Sequence, residues 1–270
     1  MGDKVTGNLL IIGGNEDKTG DCLILKKFIE MAGGRDAKIA IVTTATEYPR
    51  EVGDQYRQLF LALGAESVVI LYIADREMAN TPRQTAEIET ATGLFLTGGD
   101  QLRLTSILGG SEVDNALRRA YSRGTVIAGT SAGASVMSDT MIVEGDSNDT
   151  PKKSTLSMAH GMGLLEEVVV DQHFAQRGRI NRLLATVAQN PYILGVGIDE
   201  DTALAVTPDA RCEVIGSQTV TIIDGKHIMY SNISESQTYE PLAITNVLLH
   251  ILPAGFGYDL KRRRPYICGS

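Results

Sequence analysis

The chain has 270 residues, 43% of them hydrophobic and 21% charged, which is enough apolar material for a packed core without disulfide or metal staples. Its 25 Lys and Arg against 33 Asp and Glu give a net charge of −8, which argues against nucleic acid and anionic membrane surfaces as partners. Cys22, Cys212 and Cys268 are odd in number and far apart, fitting neither a disulfide framework nor a zinc knuckle, and the apolar run 9–12 is too short for a secretory or spanning segment. A cytoplasmic protein that needs no cofactor is expected.

From the N-terminus, β-branched apolar runs alternate with amphipathic stretches: strand 8–12 with helix 22–31, strand 38–43 with helix 50–63, strand 67–71 with helix 82–92. Strands at 93–96 and 125–128 follow, separated by helices around 102–108 and 112–123. This alternation is the mark of βαβ units, and it leaves room for six parallel strands before residue 130. Gly33, Gly64 and Gly124 stand where helices should end. Past residue 200 short alternating runs at 202–206, 211–215, 219–223 and 227–230 read as antiparallel hairpins added to the parallel sheet. With no linker and no internal repeat, one domain over 1–270 is expected: an α/β fold with a mostly parallel central sheet flanked by helices and antiparallel strands in the C-terminal part.

The polar segment 144–153 reads as a loop after a strand at 140–143. Its Asp146, Asn148 and Asp149 lack the glycine and the glutamate that a calcium loop requires. The basic run Lys261-Arg-Arg-Arg264 reads as a solvated tail.

Chemistry concentrates at Gly129-Thr-Ser-Ala-Gly133, a G-x-S-x-G directly after a strand and before a helix-competent run. In that setting a sharp turn lifts Ser131 above the sheet, and the flanking glycines admit neighbouring backbone. A serine hydroxyl needs a base. Of the four histidines only His173, in Val168-Val-Val-Asp-Gln-His-Phe174, falls at the C-terminal end of a strongly apolar strand, on the edge where groups gather in open α/β sheets. Another apolar strand, in the segment 194–202, carries Asp199, Glu200 and Asp201 at its end; period-two alternation puts Asp199 and Asp201 on one side and Glu200 on the other, and any of them could orient an imidazole. For an oxyanion hole, Gly99 N–H, in the turn after strand 93–96, and Ala132 N–H, next to the serine, are the expected donors. Arg177, Arg179 and Arg182 follow His173 closely and suit carboxylate groups of a substrate. Ile11-Ile-Gly-Gly14 lacks the spacing of a dinucleotide-binding turn.

Together, Thr97-Gly-Gly-Asp-Gln101, Gly129-Thr-Ser-Ala-Gly-Ala-Ser135, Asp171-Gln-His-Phe-Ala-Gln-Arg-Gly-Arg-Ile-Asn-Arg-Leu183 and Gly197-Ile-Asp-Glu-Asp-Thr-Ala203 resemble the cyanophycinase family of serine exopeptidases, related to the aspartyl dipeptidases. The resemblance implies a sheet of the class I glutamine amidotransferase-like or flavodoxin-like kind. It implies Ser131 as nucleophile, His173 as base and Glu200 as the orienting acid. It also places Gln101, Asp171, Gln172, Arg177, Arg179 and Arg182 at substrate-recognition positions. The implied substrate is cyanophycin, poly-aspartate carrying arginine on each side-chain carboxyl, released as β-aspartyl-arginine, and the implied assembly is a homodimer. The simpler aspartyl dipeptidases share the elbow but place an Asp before the histidine. Two rival readings are a non-catalytic binding protein that uses the arginines and an amidotransferase-like glutaminase. The second expects cysteine where Ser131 stands.

Overall fold

Runs that are apolar at every position become strands covered on both faces. β1 (Leu9–Ile12), β4 (Gly93–Leu96) and β5 (Val126–Thr130) are buried along their whole length in a computed structural model that describes residues 6–145, 150–153 and 156–269. With β2 (Lys38–Val42) and β3 (Ser67–Leu71) they pair in parallel in the order β1-β5-β4-β2-β3. The parallel set therefore holds five strands, not six.

Amphipathic helices cover this set. α1 (Leu23–Met31) and α2 (Pro49–Ala62) pack on one face, where Phe28, Tyr56, Phe60 and Phe95 form a ring cluster with centroids 4.6–5.8 Å apart. α3 (Pro82–Thr90), α4 (Gln101–Leu108), α5 (Glu112–Ser122) and α6 (Ala132–Ser135) pack on the other. Asp100 caps α4 by accepting from Leu102 N and Arg103 N, and Ser111 caps α5 by accepting from Asp114 N.

The chain then forms β6 (Thr140–Gly145) and β7 (Leu156–His160), an antiparallel pair. β6 runs on through Glu144 and Gly145, which had been expected in a loop; Asp146, Asn148 and Asp149 lie outside the described residues. β8 (Val168–Gln172), α7 (Ile180–Gln189) and β9 (Leu194–Ile198) make a parallel crossover. β10 (Thr202–Val206) returns antiparallel beside β1, and β11 (Arg211–Gly216), β14 (Phe256–Asp259) and β15 (Arg264–Ile267) extend that edge, so the nine-stranded sheet is mixed.

β12 (Thr219–Asp224) departs from the expected hairpin series. It leaves the large sheet and pairs with β9 and β13 (Leu248–Pro253), giving a second sheet ordered β13-β12-β9-β8. The Asp199 carboxylate is the cause: it accepts from Thr219 N at 3.2 Å and from Thr219 Oγ1 at 2.8 Å, drawing the start of β12 onto the end of β9. Residues 227–230, expected as a strand, form a turn and irregular chain in which the apolar Met229 is 82% exposed. Lys261–Arg264 forms the turn into β15, with Lys261, Arg262 and Arg264 exposed as expected of a solvated run and Arg263 the exception. Arg263 turns inward to Asp224 at 2.8 Å, since a buried carboxylate needs a cation.

Replacing Phe60 by Ala would open a cavity between α2 and β4. The expected cost is about 3–5 kcal/mol, read as a lowered urea midpoint with the folded far-ultraviolet dichroism unchanged.

Candidate active site

The loop after β1 organises the site. Ile12 O accepts from Ser131 N at 3.1 Å, Gly13 O from His173 N at 2.8 Å and Gly14 O from Asp201 N at 2.9 Å. Three consecutive carbonyls thus hold the three segments that leave β5, β8 and β9. The β5–α6 turn is tight because both flanking residues lack a side chain. A Cβ on Gly129 would stand 2.3 Å from Gly133 O, and one on Gly133 2.3 Å from Leu96 O. Ser131 takes φ 53° and ψ −111°, a strained conformation that projects its hydroxyl from the turn.

Ser131 Oγ lies 2.9 Å from His173 Nε2, and His173 Nδ1 lies 2.7 Å from Glu200 Oε1. The tautomer that satisfies both bonds carries its proton on Nδ1, donating to Glu200, and leaves Nε2 to accept from the serine hydroxyl. Glu200 is singled out because its neighbours are occupied elsewhere. Asp199 Oδ1 accepts from Ala175 N at 3.0 Å as well as holding Thr219 through Oδ2, while Asp201 accepts from Asp17 N at 2.8 Å and Ser217 Oγ at 2.7 Å. Burial, with Arg177 and Arg179 nearby, pulls the His173 pKa below its ordinary value against the opposing pull of Glu200. The hydrogen bond from His173, then that from Asn15, holds the Glu200 carboxyl below the usual carboxylate range.

Behind the imidazole, Asp171, Gln172, Arg179 and Arg182 form one buried cluster. Arg182 Nε donates to Asp171 Oδ2 at 2.7 Å, its Nη2 donates to Oδ1, and Arg179 Nη1 reaches Asp171 Oδ1 at 3.2 Å and the side-chain oxygen of Gln172. One carboxylate against two guanidiniums leaves a positive charge there, and burial first of all pushes the Arg179 pKa down to about 10. Arg177 stands apart, exposed in the turn before α7 rather than on that helix. Gln101 donates to Ile142 O at 3.2 Å and Val143 O at 3.0 Å, bracing β6. Gly99 N–H and Ala132 N–H have no acceptor among the described residues. His160, His227 and His250 lie away from this edge, in β7, the turn after β12 and β13.

Four groups escaped the sequence reading. Gly14, at φ +100°, is the seat of the imidazole: a Cβ there would come within 2.3 Å of His173 Cε1 and 2.5 Å of Nε2. Its signal was the Gly-Gly after β1, dismissed for the wrong spacing. Asn15 Nδ2 donates to Glu200 Oε2 at 3.0 Å, and Gln176 Oε1 accepts from Glu200 N at 3.0 Å. Glu16, buried below, accepts from Thr130 Oγ1 at 2.6 Å and from the Tyr56 hydroxyl, and pairs with Lys18 at 3.2 Å. No spacing rule pointed to any of these. An open cavity of about 440 Å³ is lined by Ser131, His173 and Glu200 together with Gly98, Lys18 and Tyr56.

A hydroxyl, an imidazole and a carboxylate lie in hydrogen-bonded sequence beside an open cavity, an arrangement suited to a nucleophile with its proton acceptor. The chain belongs to peptidase family S51, whose sequence profile matches residues 9–214. It is similar to the cyanophycinase of Geminocystis herdmanii, 41% identical over 266 residues that cover 98% of each chain. It is 42% identical over 256 residues to the cyanophycinase of Trichormus variabilis, covering 94% of this chain and 86% of that one. Among solved structures it is similar to a peptidase from an acI-B1 Actinobacterium, with a TM-score of 0.68 and 23% identity over 96% of this chain and 98% of that one, a likeness of fold. The chain is therefore a serine peptidase on an α/β fold.

Gly14→Ala should push the imidazole off Ser131. Labelling of Ser131 by a fluorophosphonate is expected to slow about a hundredfold, with the folded dichroism spectrum retained.

Proposed function

We propose that the chain is a cytoplasmic serine exopeptidase that hydrolyses cyanophycin to β-aspartyl-arginine dipeptides, with Ser131 as nucleophile, His173 as general base and acid and Glu200 as the group that orients and charges the imidazole. The observation that carries this reading is the unbroken contact from Ser131 Oγ to His173 to Glu200 at 2.9 and 2.7 Å beside the cavity. The names of the relatives at 41% and 42% identity supply the substrate.

In this reaction Ser131 Oγ bonds to a backbone aspartyl carbonyl carbon while its proton passes to His173 Nε2. The carbonyl oxygen becomes an oxyanion facing Gly99 N–H and Ala132 N–H, donors with no other engagement among the described residues. Collapse breaks the C–N bond, and His173 gives the proton to the leaving amine. Water, deprotonated by the same imidazole, then cleaves the acyl-enzyme and restores the serine. No step requires a metal or organic cofactor.

Arg177, exposed beside His173, is suited to meet substrate carboxylates directly. Asp171, Gln172, Arg179 and Arg182 act from within the buried cluster, whose surplus positive charge favours an anionic group nearby. Gln101 shapes the same end of the site through β6. A homodimer is the expected assembly, as the resemblance implies.

Ser131→Ala should abolish release of soluble dipeptide from insoluble cyanophycin, lowering turnover by several orders of magnitude. Parallel digestion of short aspartyl peptides by the wild type separates this activity from that of an aspartyl dipeptidase; retained turnover in the variant would remove Ser131 from the mechanism.

The base works only as neutral imidazole, and burial with two neighbouring guanidiniums lowers its pKa. The acidic limb of kcat/KM should therefore lie below the ordinary histidine value of 6.5. A limb at or above that value in a pH–rate profile contradicts the assignment.

A further inference from the structure

The loop that docks the three site segments through the carbonyls of Ile12, Gly13 and Gly14 continues into Asn15, which acts through its side chain. Glu200 gives one oxygen, Oε1, to His173 and the other, Oε2, to Asn15 Nδ2 at 3.0 Å. The carboxylate sits in a turn, its side chain is 28% exposed, and its terminal torsion is soft. One bond to the imidazole leaves that torsion free to swing Oε1 toward water. A second bond on the opposite oxygen fixes the plane.

The backbone at residue 15 adds an independent constraint. Asn15 has φ 47°, in the left-handed region that most residues with a Cβ avoid and that asparagine enters far more readily. Glycine would fit this conformation but carries no donor. Aspartate would fit it too, but would present an acceptor to an acceptor. Left-handed backbone and an amide donor are together met by asparagine.

We propose that Asn15 is a positioning residue of the peptidase site: its amide holds Glu200 in the plane that keeps Oε1 on His173 Nδ1, and through it keeps Nε2 directed at Ser131. The inference rests on the serine-peptidase reading, not on the identity of the substrate.

Asn15→Gly separates this role from a structural one, because it removes the donor while relieving the backbone. Fluorophosphonate labelling of Ser131 is expected to slow roughly tenfold, the loss of one hydrogen bond to a charged group, with no fall in Tm. The far-downfield proton resonance of His173 Nδ1 is expected to broaden or vanish. Asn15→Asp, of the same shape, should show the same slowing and serves as the control should the glycine variant loosen the loop. Labelling within twofold of wild type in both variants, with the resonance unchanged, overturns the proposal. A wild type that does not label at all overturns it together with the nucleophile assignment. A wild type that labels but leaves cyanophycin intact overturns only the choice of polymer, since the probe contains no peptide.

Discussion

Three successive carbonyls where β1 runs into its loop, those of Ile12, Gly13 and Gly14, are the constraint on which the site depends. The segments they hold leave three different strands, and β8 and β9 belong to a separate sheet from β1 and β5. Without that loop, the serine and the histidine would be placed only by how two sheets happen to pack. A hydrogen bond of 2.9 Å between their side chains leaves little tolerance for such slack. The small residues follow from the same requirement. At Gly13 a Cβ would stand 2.0 Å from Asp199 O, and at Gly14 the space a side chain would fill is taken by the imidazole itself.

The electrostatics of the site are a balance rather than a single pull. Desolvation first, then the charges of Arg177 and Arg179, favour neutral imidazole, the state that can accept a proton. Glu200 opposes them and stabilises the imidazolium once it forms. Of the buried cluster, Arg179 reaches the imidazole electrostatically. Arg177, in the open, bears on both members of the pair.

Much of this was legible in the sequence because burial writes itself locally. Strands buried on both faces are unbroken apolar runs, so β1, β4 and β5 were found to within two residues, and the serine after β5 and the histidine after β8 stood out beside such runs. What failed depends on distant partners. Period-two reasoning could not choose among Asp199, Glu200 and Asp201 because they lie where the strand has ended and alternation no longer governs direction; the resemblance pointed to Glu200, the carboxylate that lies 2.7 Å from His173 Nδ1. The move of β12 into the second sheet rests on an aspartate twenty residues upstream of Thr219. Asn15 and Glu16 are single polar residues whose meaning is a contact made nearly two hundred or more than one hundred positions away.

Arg263 ties together parts of the molecule that topology leaves apart. It sits between β14 and β15 at the rim of the nine-stranded sheet, yet it neutralises Asp224 at the end of β12 and donates to Tyr192 O ahead of β9. Peeling the last hairpin away would strand a carboxylate whose side chain is 2% exposed, and breaking such a pair costs about 3–5 kcal/mol. The final hairpin is thus denied the easy fraying usual at a sheet margin, and its opening is energetically joined to loosening of the sheet that leads into His173.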